Sequence, residues 1–399
     1  MGFLAAARQY RSSVQRRRDD LGDFLRSETT GGLVLIVATV AALVWVNVAA
    51  HSYHDVWSHE LSIGIGPIRV DETLEAWVND ALMAVFFFVV GLEIKRELVV
   101  GELRDRRAAA LPVLAALGGV VVPALLFVAV ASSAHREGWA VPVATDIAFV
   151  VGLLALLSTR IPPALKLFLL TLAIVDDIVG IVIIAAVYSD GIDALYLVEA
   201  TVAVLAVVAL RRAGVATFVP YVLVGVALWY CTYKSGVHAT IAGVLLGLLT
   251  PAQRVGGRDV LRSLEHRLHP ISALVIVPVF ALANAGVELR DGRLGDALSS
   301  RLALAVIVGL VVGKPVGILL ASWVGVRTRL GRLPDGMTWP VLVGGAALAG
   351  IGFTVALFIT NLAFDDPATV ADAKIGILLA STAAAALGSV ILLRVSRPH

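Results

Sequence analysis

Apolar runs of about twenty residues alternate with short polar breaks along almost the whole chain. A helix of that length crosses a bilayer with every backbone N–H and C=O bonded inside the segment, as a medium without water requires. The pattern predicts about twelve spans, near residues 31–50, 77–98, 108–131, 140–157, 164–187, 194–210, 217–231, 236–249, 271–286, 302–324, 341–362 and 375–393. The expected fold is an all-α polytopic membrane protein. One transmembrane domain, 29–394, lies between a basic N-terminal segment, 1–28, and a short tail, 395–399. In the first long polar loop, LSIGIGPIRV alternates apolar residues about a Gly66-Pro67 turn. It reads as a short β-hairpin on the outer face, fit either for a dimer contact or for capping the surface.

The fourth and eleventh spans are poor continuous helices. The fourth carries Pro142 followed by Ala144, Thr145 and Asp146, and the eleventh carries Gly344, Gly345, Gly350 and Gly352. Each sits in the middle of a three-span group, spans 3–5 and 10–12, and paired interruptions of this kind point to inverted repeats with a binding site between them. An interrupted helix leaves orphan carbonyls and amides that can face an ion. Alternatively, the glycines of the eleventh span only let helices pack closely.

Composition sharpens this picture. The chain of 399 residues is 59% hydrophobic and 16% charged, with a mean hydropathy of +0.90, which excludes a water-soluble protein. With the N-terminus in the cytoplasm, 24 of the 32 basic residues fall on that side, 7 on the other, and Lys314 lies inside a span. This bias places both ends in the cytoplasm. The net charge of +2 gives no reason to expect nucleic acid, although the N-terminal RSSVQRRR can touch anionic membrane lipid. Acidic Asp19, Asp20 and Asp23 follow that cluster, so the N-terminus does not read as a cleavable signal. A single cysteine, Cys231, excludes an intrachain disulfide and a cysteine-based metal site, and no cofactor is expected.

Ionisable groups in the bilayer interior are costly and therefore candidates for function. They are few here: Asp146 in span four, the adjacent Asp176 and Asp177 in span five, and Lys314 in span ten, with Asp80 and Glu93 nearer the ends of span two. Adjacent aspartates point about 100° apart on a helix, so Asp176 and Asp177 cannot address one partner equally. In one division of labour Asp177 and Asp146 face an ion while Asp176 pairs with Lys314; a purely structural network, or a structural Lys314 ion pair, is the rival. Dehydrated Na⁺ is a hard cation that takes oxygen ligands, and carboxylates, the Thr145 hydroxyl and unwound carbonyls supply them. The same carboxylates bind protons, so competition between Na⁺ and H⁺ is a sufficient mechanism of exchange.

The stretches NDALMAVFFFVVGLEIKREL, VPVATDIAFVVGLLALLSTRIPPALKLFLLTLAIVDDIVGIVIIA, YKSGVHATIAG, LEHRLHP, FALANAGV, VGKPVG and LAGIGFTVALFI resemble the bacterial NhaA Na⁺/H⁺ antiporter family, over nearly everything from Thr29 to about Leu393. The resemblance implies an inner-membrane antiporter exchanging Na⁺ or Li⁺ for H⁺ and regulating cytoplasmic pH and sodium. It implies crossed, unwound helices at Gly350 and Gly352 and at Thr145, with Asp146 compensating their charge. Asp177 and Asp176 become the Na⁺ and proton carriers, and Lys314 the cation partner across the crossing. Asp80, Glu93, Glu97, His238, Glu265, His266 and His269 match positions of ion entry or pH response; the hairpin's apolar edge, read from its pattern alone, remains a candidate homodimer contact. Two departures are a longer basic N-terminus and Tyr233 before the lysine of KSGVHAT.

Other classes fit less well. A Na⁺-coupled solute symporter needs more hydrogen-bonding side chains among its spans. An intramembrane aspartic protease needs a GlyXaaGlyAsp context, whereas Asp146 follows Ala144-Thr145 and Asp177 follows Asp176. A passive Na⁺ channel is separated by whether a proton gradient drives Na⁺ uphill. No HExxH or phosphate loop supports hydrolysis.

Overall fold

The computed structural model describes residues 30–66, 68–157, 161–189, 191–215, 217–253, 259–290 and 292–395. The predicted N-terminal segment, Pro67 and nearly all of the predicted tail lie outside the described residues. Helix α1 (Thr30–Val48) leads into a short helix α2 (Ala50–Trp57), strands β1 (Glu60–Ile65) and β2 (Ile68–Thr73), and helices α3 (Leu74–Val99) and α4 (Arg107–Val130). A 3₁₀ segment, Ser133–Val143, precedes α5 (Ile147–Leu156), α6 (Pro163–Val187), α7 (Ala194–Arg212), α8 (Phe218–Lys234) and α9 (Thr240–Leu249). Then come α10 (Val260–Asn284), α11 (Arg293–Ser299), α12 (Arg301–Arg327), α13 (Trp339–Leu348), α14 (Phe353–Ala363) and α15 (Pro367–Val395).

Among the described residues, eight helices are long and apolar enough to cross a membrane, and the count rises to ten with two bent pairs taken as one span each. These are Ser133–Val143 with α5, bent by 48°, and α13 with α14, bent by 46°, at the two interruptions expected from the sequence. The predicted span 236–249 is shorter than expected: Gly236, at φ +79°, turns the chain, and only the ten residues of α9 are helical. At 1.5 Å per residue they reach roughly 15 Å, half the apolar core. The span predicted at 271–286 instead begins at Val260, inside the stretch that separates it from the preceding predicted span. Asp259 starts it by accepting the Arg262 N–H at 3.1 Å, and Leu261, Glu265 and His269, four residues apart, form its buried face. Hydropathy misses such a stretch because its buried face carries charge.

Two π turns, Ser272–Ile276 in α10 and Val308–Gly313 in α12, lie just ahead of Pro278 and Pro315. Proline offers no N–H and collides with the carbonyl four residues earlier, and widening the turn relieves both problems. A third π turn, Val78–Leu82, holds Asp80.

The hairpin pairs antiparallel from Glu60 with Thr73 to Ile65 with Ile68, and Gly66 takes φ +62° at its tip. Trp77 donates its indole N–H to the Leu61 carbonyl at 2.8 Å, and Tyr233 donates its hydroxyl to Glu72. Trp77, Trp229 and Tyr233 stack in series, with centroids 5.9 and 5.8 Å apart. The unusual tyrosine thus ties β2 to the end of α8.

The spans pack mainly in two groups. One holds α4, α6, α12, α15 and the bent pairs; the other holds α3 and α7 to α10. Between α4 and α12 the backbones almost touch, since a Cβ on Gly317 would sit 2.0 Å from the Gly118 carbonyl oxygen. Small residues permit that approach, and it brings Lys314 against the site. Gly317→Leu is therefore expected to cost about 2 kcal/mol or more and lower the melting temperature in detergent. Gly295→Ala, where a Cβ meets nothing within 4 Å, should leave it within a degree or two. Equal melting curves for both variants would show that the α4–α12 contact is not a tight one.

Candidate functional site

The two helix breaks meet in the protein interior. Ala144, Thr145 and Asp146 are extended between Ser133–Val143 and α5, and residues 349–352 separate α13 from α14. Asp146 donates its backbone N–H to the Ile351 carbonyl at 2.7 Å, and the Thr145 hydroxyl oxygen lies 3.1 Å from the Ala349 carbonyl. Each break thus answers orphan groups of the other. Glycine permits close approach on both sides of the second break: a Cβ on Gly350 would lie 2.5 Å from the Leu310 carbonyl oxygen of α12, and one on Gly352 would lie 3.0 Å from the Ala144 oxygen of the first break.

Asp146 caps two half-helices at once. Its Oδ1 accepts the Phe149 N–H of α5 at 3.0 Å, and its Oδ2 accepts the N–H and hydroxyl of Thr354, on α14, at 3.0 and 2.8 Å. Negative charge is favoured at helix N-termini, and here one carboxylate serves a pair. Lys314, 0% exposed, takes the complementary place. Its Nζ donates to the Val143 carbonyl, at the C-terminal end of the first broken segment, and to Asp176 Oδ2 at 2.6 Å. Thr145 Oγ1 donates to that same oxygen at 2.7 Å. The structure therefore ties Asp146, Thr145, Asp176 and Lys314 into one buried network.

Asp177 faces elsewhere. Together with Thr145, Asp146 and Thr354 it lines a pocket, partly open to the outside, with apolar walls from Phe86, Val89 and Ala273. No described residue hydrogen-bonds to its carboxylate, and Asp176 is not among the lining residues. The pocket lining thus offers three carboxylates, of Glu93, Asp146 and Asp177, and three hydroxyls, of Thr145, Ser272 and Thr354, as oxygen ligands.

Glu93 and His269 line the same pocket, 3.7 Å apart. Beside them Arg96 binds Glu265 and lies 3.0 Å from Glu97. Glu93, Glu97, Glu265 and His269 are thus brought together by α3 and α10. His266 is exposed on α10, His238 lies in the turn before α9, and Asp80 offers its backbone carbonyl to the Trp229 indole; none of the three lines the pocket. Sequence reasoning passed over Thr354 and Arg96. Thr354 had a signal, being a hydroxyl residue two positions after Gly352, at the start of the second half-helix.

Residues 22–392 match the family described as Na+/H+ antiporter 1. The protein named Na(+)/H(+) antiporter NhaA from Escherichia coli O1:K1 / APEC is 47% identical over 371 residues, covering 92% of this chain and 95% of that protein. The proteins of that name from Shigella dysenteriae serotype 1 and Shigella sonnei give the same 47% over 371 residues. On a match running through nearly the whole chain, this protein belongs to the NhaA family of Na⁺/H⁺ antiporters.

Proposed function

We propose that this protein is a secondary active antiporter exchanging Na⁺, or Li⁺, for H⁺ across the bacterial inner membrane, by competition of the two ions for buried aspartates and by alternating access. It is a transporter, not an enzyme. The observation that carries the mechanism is the separation of the adjacent acids: Asp176 is engaged by Lys314 and Thr145, whereas Asp177 is turned into the pocket with Asp146 beside it. A cation that sheds water there finds carboxylate and hydroxyl oxygens at Asp177, Asp146, Thr145 and Thr354. A proton at Asp177 removes the charge that holds the cation, so each ion displaces the other. Asp176 enters as the charge balanced by Lys314, and that pair responds electrostatically to what occupies Asp177.

Twelve spans follow if each bent pair is one span and α8 and α9 are added, with both termini cytoplasmic from the basic-residue bias. The bent pairs at the middle of spans 3–5 and 10–12 then mark the inverted repeats. The hairpin, with Leu61 and Ile63 exposed, is the surface for a second copy. Arg96, Glu97, Glu265, Glu93 and His269 form the candidate pH-responsive entrance, through which the two ions regulate cytoplasmic pH and sodium.

Proteoliposomes test the reading directly. An imposed pH gradient should drive Na⁺ or Li⁺, and not K⁺, without ATP; absence of Na⁺ movement would sink the function. Asp177→Asn is expected to abolish exchange at every pH and to remove Na⁺ binding measurable by calorimetry, because the amide lacks the charge that offsets dehydration. Parent-like affinity in that variant would remove Asp177 as a ligand.

Lys314→Arg keeps the charge but cannot release a proton at ordinary pH. Slower exchange is expected, because the guanidinium exceeds an enclosed site, with an unchanged number of charges moved per cycle; a fall in that number would make Lys314 a proton carrier. Competition also demands that lowering pH raise the apparent KM for Na⁺, by up to about tenfold per pH unit for each competing proton. Glu265→Gln, which deprives Arg96 of a partner, should shift the pH profile by about one unit or less and leave transport intact. A profile superimposable on the parent's would locate pH control elsewhere.

A further inference from the structure

Three asparagines sit near the ends of α3, α10 and α14, away from the pocket. Asn284, 0% exposed, exchanges two hydrogen bonds with Asn79, its Nδ2 donating to Asn79 Oδ1 at 2.8 Å and its Oδ1 accepting from Asn79 Nδ2 at 3.3 Å. Its Oδ1 also accepts from Asn361 Nδ2, and its Nδ2 donates to the Phe280 carbonyl at 3.0 Å. These contacts use all four hydrogen bonds that an amide can make. Beneath them the same three helices contribute Phe87, Phe280 and Phe358, buried together with centroids 5.5 Å (Phe87–Phe358) and 6.3 Å (Phe280–Phe358) apart. The pocket lies beyond this aromatic layer: on α3 it starts at Phe86 and runs to Glu93, and on α10 it runs from His269 to Val277.

We infer that Asn79, Asn284 and Asn361 are a latch that holds the outward side of the ion pathway shut while the pocket at Asp177 is open on the other side. This rests on the alternating access proposed above. Asn79 and Asn284 belong to the packing group of α3 and α10, and Asn361 belongs to the group of the bent pairs, so any separation of the two groups at this end must break the Asn361–Asn284 bond. The choice of amide has a physical reason. An apolar seal would resist wetting, because opening would expose its surface to water. Amides that lose one another on opening recover hydrogen bonds from water, so closing is specific while the two states stay close in free energy. Every amide of the clasp must be paired when closed, because an unpaired polar group is costly at that depth.

Disulfide trapping separates a latch from ordinary packing. In the Cys231→Ser background, Asn284→Cys with Asn361→Cys crosses the two groups, whereas Asn79→Cys with Asn284→Cys stays within one. Oxidation should cut Na⁺/H⁺ exchange of the first pair at least about tenfold, with recovery on reduction, and should change the second pair less than twofold. Hydrogen exchange of Asn284→Ala and, separately, Asn361→Ala supplies a reading independent of transport. Peptides covering 74–82 and 358–364 should exchange about fivefold faster, while those covering 260–268 are unchanged. If the oxidised crossing pair transports like its reduced form, or if neither alanine variant alters exchange at the outer peptides, the latch is overturned. A parent protein that does not exchange Na⁺ for H⁺ would defeat the proposed function instead, and the hydrogen-exchange result would still decide the latch.

Discussion

The site depends on one constraint: a helix broken inside a bilayer must find partners for the backbone groups it frees, because no bulk water supplies them. Two breaks placed against each other solve part of this, as in the bond from the Asp146 amide to the Ile351 carbonyl. Fixed charges solve the rest. Asp146 answers the amide ends of α5 and α14, and Lys314 answers the carbonyl end at Val143. Removing either charge would leave the partial charge of a half-helix exposed to hydrocarbon, so both residues are structural before they are anything else. In the exchange proposed above, charges already compensated by the backbone would tolerate a visiting cation.

From this arrangement the roles of the paired aspartates separate through helix geometry alone. A rotation of about 100° between neighbours sends Asp176 toward Lys314 on α12 and Asp177 toward the pocket between α3, α10 and the bent pairs. The close approach of α4 and α12 at Gly118 and Gly317 keeps Lys314 within reach. Site and scaffold therefore share a cause, because the residues that allow tight helix packing also deliver the buried cation.

Much of this was legible in the sequence, because it was written in local signals. Pro142 and the glycines at 350 and 352 announced the breaks, whereas Gly344 and Gly345 lie inside α13 and let it pack closely; the alternation around Gly66 announced the hairpin, and the charges at 146, 176 and 314 in apolar runs announced the central network. Features that needed three-dimensional information escaped. Helix α10 starts at Val260 because its buried face carries Glu265 and His269, which find Arg96 and Glu93 on α3; a hydropathy average records such residues as loop. The pairing of Asn79 with Asn284 joins positions 205 residues apart, and an asparagine in an apolar stretch carries no mark of its partner. The short α9 was misread because Gly236 could as well have sat inside a helix.

The two oxygens of Asp176 differ in a way that bears on where a proton can settle. Oδ2 already accepts from Lys314 and from Thr145, which fills both of its lone pairs, whereas Oδ1 is buried and accepts from no described residue. A proton arriving at this carboxylate therefore has one place to land, the oxygen turned away from the ammonium group. Neutralising Asp176 need not dismantle its contact with Lys314: the side chain can change charge while its neighbours keep their positions. Such a carboxylate registers a proton as a change of field rather than a change of shape.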